Sequence, residues 1–321
     1  MNNILKIENL HTYFYSEGQV IKAVEGLTLQ VKKSEVLGLV GESACGKSVS
    51  ALSVLRLVQP PGKVVKGRIK FEDKDLLKLS EKQMQSIRGK DISIIFQEPG
   101  AALNPVYTAG FQIAEMIKVH NRAFSGRGIR NRVQQLLEDV ELSDTGRILK
   151  SYPHNLSGGQ AQRVMIAMAV SCNPKLLIAD EPTTALDVTV QAQIMALFSK
   201  IKQQFGLTLI LITHDLRLCR QVADRIAIMY AGKIVEVAPT DKIFSNPLHA
   251  YTQALIESVP KDKVSRDRFK VIGGRVPDPA NKPAGCYFNV RCPVSEDICR
   301  SVYPEFIEIE PGHMVSCHKV K

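Results

Sequence analysis

The residues from 156 to 187 constrain the fold of this chain most strongly, because they join a glycine-rich helix start to an acidic strand end. LSGGQ (156–160) opens into an amphipathic pattern typical of a helix, and the free N–H groups of a helix start can bind an anion. A short apolar run at 176–179 then predicts a buried parallel strand. It ends in Asp180 and Glu181, and open α/β sheets bind ligands at the carboxyl ends of their strands.

Asp180 and Glu181 have separate expected roles at this strand end. Asp180 suits the ligand shell of a Mg²⁺ ion, and Glu181 suits the orientation of an attacking water molecule. A solvated strand end, whose acids help to cap the next helix, is the alternative for the pair. An ordinary glycine-rich helix start is the alternative for 156–160.

A second glycine-rich segment, GESACGKS (41–48), matches the pattern G-x-x-x-x-G-K-[ST] between an apolar strand at 36–40 and a helical pattern from Val49. The N–H groups of such a loop cradle phosphates, Lys47 reaches their oxygens, and Ser48 takes a position on Mg²⁺. Cys45 lies at a helix start, which predicts a lowered thiol pKa, although a small filler residue is the other interpretation. The residues expected around the phosphates are Gly41, Glu42, Ser43, Ala44, Cys45, Gly46, Lys47 and Ser48.

Length and charge place the chain in a broad class. Its 321 residues suffice for one large α/β domain with an appendage, or for two domains. No apolar run approaches the ~18 residues of a membrane span, and the N-terminus lacks a basic-then-apolar signal, so we expect a cytosolic chain. The net charge of +10 suits a membrane-facing or phosphate-handling surface at least as well as nucleic acid.

LSGGQ followed by an apolar strand, Asp-Glu-Pro and Ala-Leu-Asp resembles the ATP-binding-cassette (ABC) ATPases. FQEPGAALNPVYTAG (96–110) and NPLHAYTQAL (246–255) extend the resemblance to the importer branch for oligopeptides, dipeptides and nickel, essentially end to end. The resemblance implies an α/β P-loop NTPase fold with a RecA-like core, an antiparallel β subdomain and a helical subdomain at about 99–173. It implies an ATPase domain at 1–245 and a small Cys-rich C-terminal extension at 246–321.

The same resemblance implies catalytic roles for two further polar residues. Gln97 follows a buried strand at 92–96 and would contact Mg²⁺ or water, joining Glu181 in the catalytic set. His214 follows a buried strand at 207–213 and would contact the γ-phosphate, although a histidine at a capped helix start is the alternative.

An aromatic side chain near the N-terminus stacks on adenine in the resembled family, since stacking needs only a flat π surface. Tyr13 and Phe14 are the candidates, with Tyr15 as a third. Three strand aromatics packed in a hairpin are the alternative.

The resemblance also implies partners. In this family Ser157 and Gly159 cover the γ-phosphate bound by the opposing subunit, so that a lone chain cannot complete a site. We therefore expect a heterodimer with a second related ATPase, two transmembrane permeases and an extracellular substrate-binding protein, at the cytoplasmic face of the inner membrane, without nucleic acid. The remaining residues expected at the nucleotide are Ser157, Gly158, Gly159, Gln160 and Asp187.

Three positions depart from the family pattern. Ala44 and Ser34 stand where the family usually has glycine, and a methyl group at 44 would crowd or stiffen the loop if the backbone angle is unusual. Ala161 stands where arginine often follows LSGGQ, which would weaken contacts between subunits.

Four cysteines crowd the C-terminal end of the chain with the spacing C-x5-C-x6-C-x17-C. Zinc sites usually contain C-x2–4-C pairs, whereas irregular spacing is compatible with an iron–sulfur cluster. Members of the resembled branch carry a [4Fe–4S] cluster at such a tail, so the resemblance implies one here. Zinc, with His313 or His318 as substitute ligands, and four unligated thiols are the alternatives. The cysteines are Cys286, Cys292, Cys299 and Cys317.

The predicted function is ATP hydrolysis, with ATP and Mg²⁺, that powers the import of di- or oligopeptides or a related small solute. A nickel or metal-chelate importer ATPase is one alternative. A soluble ABC ATPase acting on DNA or ribosomes is another, and a redox or metal sensor built on the cysteine tail is a third.

Overall fold

The computed structural model describes residues 3–16, 18–121, 125–184, 186–258 and 272–320. The elements begin with β1 (Asn3–Ser16), β2 (Gln19–Lys32), β3 (Val36–Val40), α1 (Lys47–Leu55), β4 (Gly62–Phe71), β5 (Lys74–Asp75), α2 (Glu81–Gln85), β6 (Ile92–Ile95), α3 (Pro99–Ala102), α4 (Ala109–His120), α5 (Gly126–Asp139), α6 (Thr145–Lys150) and α7 (Gly158–Val170). They continue with β7 (Leu176–Asp180), α8 (Val188–Phe205), β8 (Thr208–Thr213), α9 (Leu216–Val222), β9 (Arg225–Tyr230), β10 (Lys233–Pro239), α10 (Thr240–Ser245), α11 (Ala250–Ser258), α12 (Asp297–Ser301), β11 (Ile307–Glu310) and β12 (His313–Val315). Short 3-10 turns lie at Leu76–Lys78 and Pro153–Asn155.

Backbone packing divides the chain into two compact units. Unit 1 comprises Met1–Lys32, Val36–Leu77 and Thr213–Lys321, and unit 2 comprises Lys33–Glu35 and Lys78–Ile212. The predicted boundaries at 245/246 and at 99–173 rest on the resemblance and stay predictions.

An antiparallel sheet of unit 1 has the strand order β2-β1-β4-β5. The long strands β1 and β2 form because apolar residues recur on one face, the pattern of a sheet with one buried side. Ile7 of β1 lies opposite Leu29 of β2 and Ile69 of β4, and all three side chains are buried. This face supplies the core beneath the sheet.

A second group of strands in unit 1 has the order β11-β12-β10-β9-β3. The five residues of β3 are all buried, and β3 runs parallel to β9 with Leu39 opposite Ala227. Continuous apolar runs are typical of parallel strands covered on both faces. Strands β9 and β10 form a hairpin that turns at Ala231 and Gly232, both with positive φ.

The C-terminal residues of unit 1 join this group of strands through a buried carboxylate. Strand β12 pairs antiparallel with β10, where Glu236 lies opposite Val315. The Glu236 side chain is fully buried and accepts hydrogen bonds from the backbone N–H groups of Leu248 and His249 at 2.8 and 2.9 Å. His313 Nε2 lies 2.8 Å from its Oε1 atom. Because buried carboxylates need such partners, Glu236 ties three segments together.

Unit 2 contains the parallel strands β6, β7 and β8, in which Ile94, Ile178 and Ile210 lie side by side. Between β6 and β7, the described residues form helices and loops. Several of these helices begin at side-chain caps, including Thr108 of α4 and Ser125 of α5, which satisfy N–H groups that would otherwise lack partners. Within the described residues, no helix is long and apolar enough to cross a lipid bilayer.

Candidate functional site

The loop between β3 and α1 in unit 1 requires glycine at two positions. A Cβ atom at Gly41 would lie 2.2 Å from the carbonyl oxygen of Met229, and one at Gly46 would lie 2.5 Å from that of Ala23. Gly46 also precedes α1 with a φ of 106°, a left-handed conformation. The two glycines therefore let the loop wrap closely around the start of the helix, where backbone N–H groups can meet an anion.

Lys47 is drawn into this loop in the structure. Its side chain is buried, and Nζ donates hydrogen bonds to the carbonyl oxygens of Gly41 and Glu42 at 2.8 and 2.9 Å. The ammonium group thus lies inside the turn of the loop, bound to the loop's own carbonyl oxygens. The predicted phosphate loop is assembled around it, with Ser43 and Ala44 exposed.

Cys45 differs from the expectation of a reactive thiol. Its side chain is buried, and burial raises the pKa of the Cys45 thiol, with the nearby Lys47 ammonium only opposing that effect. The predicted lowering of this pKa is wrong, because desolvation outweighs the neighbouring charge. Cys45 is a small buried residue that fills the loop.

Two of the departures from the family pattern fall at positive φ. Ala44 has a φ of 61° and Ser34 a φ of 62°, values at which an L side chain is strained and glycine is not. The expectation that a methyl group at 44 stiffens the loop therefore has a physical cause. The third departure, Ala161, is buried in the first turn of α7.

In unit 2, hydrogen bonds fix the position of a carboxylate at the acidic end of β7. Asp180 is buried at the end of β7, and Glu181 follows with a φ of 47°. The Glu181 carboxylate accepts hydrogen bonds at Oε2 from Gln97 Nε2 at 3.1 Å and from the Thr184 hydroxyl at 2.9 Å. Its backbone N–H donates to the carbonyl oxygen of Ile212 at 2.9 Å. Sequence reasoning named Gln97 and Glu181 but missed Thr184.

The glycine-rich start of α7, also in unit 2, is a capped helix. The Ser157 hydroxyl accepts a hydrogen bond from the backbone N–H of Gln160 at 3.3 Å, and the Gln160 side chain returns one to the N–H of Ser157 at 3.1 Å. A Cβ atom at Gly159 would lie 3.1 Å from Val190, while one at Gly158 would meet Leu186 at 3.5 Å. This reciprocal cap satisfies the backbone N–H groups of Ser157 and Gln160 and fixes the start of the helix.

Asp187 and His214 lie at other helix starts. Asp187 caps α8 by accepting a hydrogen bond from the N–H of Val190 at 3.0 Å. Ala185 of the same motif lies outside the described residues. His214 is exposed in unit 1, next to Asp215, which caps α9 and pairs with Arg217 at 2.8 Å. Burial raises the pKa of Asp215, but the hydrogen bonds from Arg217 outweigh it and the net shift is downward.

The three candidate aromatics differ in their surroundings. The Tyr13 hydroxyl lies 3.0 Å from His11 Nδ1, and Phe14 packs so closely on Gly62 that a Cβ atom there would lie 2.5 Å from the ring. Tyr15 is 40% exposed, with Lys63 Nζ 4.7 Å from its ring centroid. The choice among them for adenine stays a prediction.

The predicted iron–sulfur cluster is contradicted by the structure. The four C-terminal cysteines line one cavity of about 20 Å³, the space of about one water molecule. Burial raises the pKa of the Cys286 thiol to about 11 and also raises the pKa values of Cys292 and Cys317. Over the ranges that the structure describes, no group of three or more His, Cys, Asp or Glu residues could hold a metal ion.

Zinc, the alternative for this tail, lacks support for the same reason. The two proposed substitute ligands have their Nε2 atoms engaged elsewhere. His313 Nε2 lies 2.8 Å from Glu236, and His318 Nε2 lies 2.9 Å from the carbonyl oxygen of Val302.

Sequence reasoning missed two residues at the phosphate loop. Arg291 forms a two-pronged ion pair with the carboxylate of Glu42, at 2.7 and 3.0 Å, and the Tyr251 hydroxyl accepts a hydrogen bond from the Glu42 N–H at 2.9 Å. Both are far from the loop in sequence and belong to no phosphate-binding pattern, so no local signal could have found them.

The strand, the phosphate loop and the helix that follows define a P-loop ATPase. Residues 24–184 match the ABC transporter family, and residues 235–299 match the family described as "Oligopeptide/dipeptide transporter, C-terminal region". The chain therefore belongs to the ATP-binding subunits of ABC transporters, in the oligopeptide/dipeptide family. It is an ABC ATPase, for which ATP and Mg²⁺ are expected.

Curated relatives match along nearly the whole chain. The oligopeptide transport ATP-binding protein AppD of Bacillus subtilis is 46% identical over 318 residues, 99% of this chain and 97% of AppD. The dipeptide transport ATP-binding protein DppD of Escherichia coli is 44% identical over 315 residues, 98% of this chain and 96% of DppD. A dimeric ATP-binding cassette, MJ0796, solved with ADP and Pi, is 29% identical with a TM-score of 0.67, covering 74% of this chain and 98% of MJ0796.

Proposed function

We propose that this chain binds and hydrolyses ATP to power the import of di- or oligopeptides. The observation that carries the proposal is the phosphate loop, in which Gly41 and Gly46 admit the close turn and Lys47 lies within it. The relatives AppD and DppD, named for oligopeptide and dipeptide transport, support the substrate class.

In unit 1 the proposed roles concern phosphate. The loop N–H groups and Lys47 hold the phosphates of ATP, and Ser48 at the start of α1 holds Mg²⁺. His214, exposed at the end of β8, contacts the γ-phosphate. Mg²⁺, when bound, would neutralise charge on the phosphate oxygens, and Ser48 offers it the hydroxyl oxygen that this ion accepts as a ligand; Asp180 and Gln97 of unit 2 are proposed as further oxygen ligands.

In unit 2 the proposed roles concern the water that attacks phosphorus. Glu181 orients this water and accepts its proton as the new P–O bond forms and the bond from the γ-phosphorus to the bridging oxygen breaks. Support comes from the position of the carboxylate, because the hydrogen bonds from Gln97 and Thr184 to Oε2 restrict its orientation. The positive φ of Glu181 is backbone strain of the kind concentrated at functional sites.

We infer that two ATPase subunits complete each site. The residues at the start of α7 cover the nucleotide of the opposing subunit, with Asp187 beside it. The relative solved with ADP and Pi is a dimer, which supports this arrangement. The heterodimer with a second related ATPase, the domain boundaries at 245/246 and the C-terminal extension are part of the same proposal.

The proposed partners in the membrane are two permeases, fed by an extracellular substrate-binding protein. Unit 2 exposes several large apolar side chains between residues 96 and 111, and exposed apolar groups of this kind can mark protein contacts. Tyr107 and Phe111 stack with ring centroids 4.6 Å apart while remaining 43% and 48% exposed. Val106 is 69% exposed and Phe96 is 41% exposed. Docking there would hold the chain at the cytoplasmic face of the membrane.

The test is peptide import by the assembled transporter with a Glu181→Gln subunit. We expect import of a labelled dipeptide to be lost, by roughly 10²-fold or more, while binding of Mg-ATP stays within about twofold, because the substitution removes the proton acceptor and keeps the volume. Glu305→Gln, at an exposed glutamate of unit 1, is the control and should import normally. Import that survives Glu181→Gln would contradict the proposal.

A detergent pull-down from native membranes tests the partners. We expect two multi-span permeases and a second ATPase to co-purify. Co-purification of ribosomal proteins or nucleic acid would instead favour an ABC ATPase that acts on DNA or ribosomes.

A further inference from the structure

Glu42, within the phosphate loop, is held by residues from the far end of the chain. The Glu42 carboxylate pairs with Arg291, the Glu42 N–H donates to the Tyr251 hydroxyl, and the Glu42 carbonyl oxygen accepts a hydrogen bond from Lys47. All of these residues belong to unit 1. Each polar group of this one loop residue therefore has a defined partner.

Arg291 is a rigid support for the loop. Its side chain is 2% exposed, and Nη1 and Nη2 donate to the two carboxylate oxygens of Glu42 at 2.7 and 3.0 Å. Nε donates to the carbonyl oxygen of Gly273 at 2.8 Å, and Nη1 also reaches the Tyr230 hydroxyl at 3.3 Å. A buried guanidinium with its donors used in a planar fork has little freedom to turn.

Tyr251 is anchored by aromatic packing. Its ring lies 4.6 Å from that of Tyr230 and 5.4 Å from that of Phe288, between ring centroids, and all three side chains are almost fully buried. The hydroxyl that receives the Glu42 N–H is therefore fixed by a packed cluster rather than by the loop itself.

Arg291 has a second role, which concerns the negative charge of Glu42. A carboxylate in a loop that binds phosphate oxygens repels them, and Glu42 remains 29% exposed. Arg291 neutralises that charge. When phosphates take the Lys47 ammonium away from the Glu42 carbonyl, the contacts with Arg291 and Tyr251 still define the position of Glu42.

We propose that Arg291 and Tyr251 are positioning residues for ATP: they hold Glu42 so that the phosphate loop is preorganised, and Arg291 cancels its charge. The inference rests on the proposed function, since it assigns a role in the same ATP site. The C-terminal residues thereby govern nucleotide affinity without touching the nucleotide.

The test measures Mg-ATP binding to the full chain with a fluorescent ATP analogue. Arg291→Met should raise the Kd about tenfold, because both the held geometry and the charge cancellation are lost. Arg291→Lys keeps the positive charge but not the two-pronged guanidinium contact, so its Kd should lie between that of Arg291→Met and that of the native chain. Arg300→Met is the matched control, at an arginine of the same region that is 70% exposed, and should stay within about twofold.

A double variant that also removes the Glu42 charge distinguishes the positioning and charge-neutralising role of Arg291 from a merely structural one. Adding Glu42→Gln to Arg291→Met should recover a large part of the lost affinity, because the uncompensated carboxylate is gone. Tyr251→Phe removes only the hydroxyl and provides an independent variant if Arg291→Met does not fold. It should raise the Kd about threefold.

The failures are distinguishable. A native chain that binds no Mg-ATP overturns the proposed function. A native chain that binds it, with an unchanged Kd in Arg291→Met and in Tyr251→Phe, overturns this inference alone. The absence of rescue by Glu42→Gln in a folded Arg291→Met background overturns the charge role of Arg291.

Discussion

Gln97 Nε2 donates a 3.1 Å hydrogen bond to Oε2 of Glu181, joining two strand ends of unit 2 that are 84 residues apart in sequence. The Thr184 hydroxyl donates to the same oxygen at 2.9 Å. Two neutral donors thus restrict the orientation of the carboxylate. A carboxylate whose orientation is fixed in this way is preorganised, which is what the proposed water-orienting role requires.

Removing the Gln97 amide should slow ATP hydrolysis more than it weakens ATP binding. For Gln97→Ala we expect kcat to fall about tenfold, the equivalent of about 1.4 kcal/mol, because Glu181 loses a hydrogen bond that orients its carboxylate. The Kd for Mg-ATP should change less than about threefold. Steady-state hydrolysis by the assembled complex and equilibrium binding provide the two numbers. A Kd that rises tenfold at constant kcat would assign Gln97 to binding instead.

The stability of variants at position 44 should decrease as the side chain becomes bulkier near the backbone. Ala44 has a φ of 61°, so glycine relieves strain there and a β-branched residue increases it. We expect Ala44→Gly to be neutral or stabilising by about 0.5 kcal/mol, since relief of strain is offset by unfolded-state entropy, and Ala44→Val to be destabilising by about 2 kcal/mol. Thermal unfolding of the full chain measures both. A Val variant as stable as the Gly variant would contradict the left-handed conformation.

The stability of unit 1 should fall in mild acid because of His249. This side chain is 2% exposed and its Nδ1 accepts the N–H of Tyr251 at 3.0 Å. Burial lowers the pKa of His249 to about 4. Above its unfolded pKa of about 6.5 neither state is protonated, and between about 6.5 and 4 only the unfolded state gains the proton, so stability decreases as the pH falls.

The corresponding substitution is His249→Gln. Denaturant unfolding at pH 7.5 and pH 5 should show that the acid-induced loss of unfolding free energy is smaller than in the native chain by about 2 kcal/mol. His154→Gln, at an exposed histidine, is the control. An identical loss in His249→Gln and in the native chain would refute the assignment.

A buried lysine in unit 1 depends on Glu25. The Lys282 side chain is 6% exposed and lies 3.3 Å from the Glu25 carboxylate, which also accepts a 2.7 Å hydrogen bond from the Tyr287 hydroxyl. Burial lowers the pKa of Lys282, with Glu25 opposing that effect. We expect Glu25→Gln to destabilise the chain by about 2 kcal/mol, because it leaves a buried ammonium without its counter-charge.

Urea unfolding with a matched surface variant tests this expectation. Glu8→Gln breaks the exposed pair with Arg68, whose atoms lie 3.9 Å apart, and should cost less than about 0.5 kcal/mol. Equal effects of the two substitutions would show that the buried pair contributes no more than the surface one.

Local sequence determined the parts of this protein that depend on neighbouring residues. The phosphate loop at 41–48 could be predicted because two glycines, a lysine and a serine act within eight residues between a strand and a helix. The acidic end of β7, the capped start of α7 and the hairpin at Ala231 follow from local patterns in the same way. The resemblance based on these motifs was sufficient to predict the family to which the chain belongs.

Tertiary structure decided what depends on residues distant in sequence. Arg291 and Tyr251 meet Glu42 only because the C-terminal residues pack within unit 1, and no spacing rule encodes a contact between positions 249 residues apart. Burial reversed the expected pKa shift of Cys45 and raised the pKa values of tail thiols such as Cys286, and the cluster that the resemblance implied there is wrong. Patterns report which groups are available, whereas desolvation and packing, which set their charge and partners, exist only after the chain has folded.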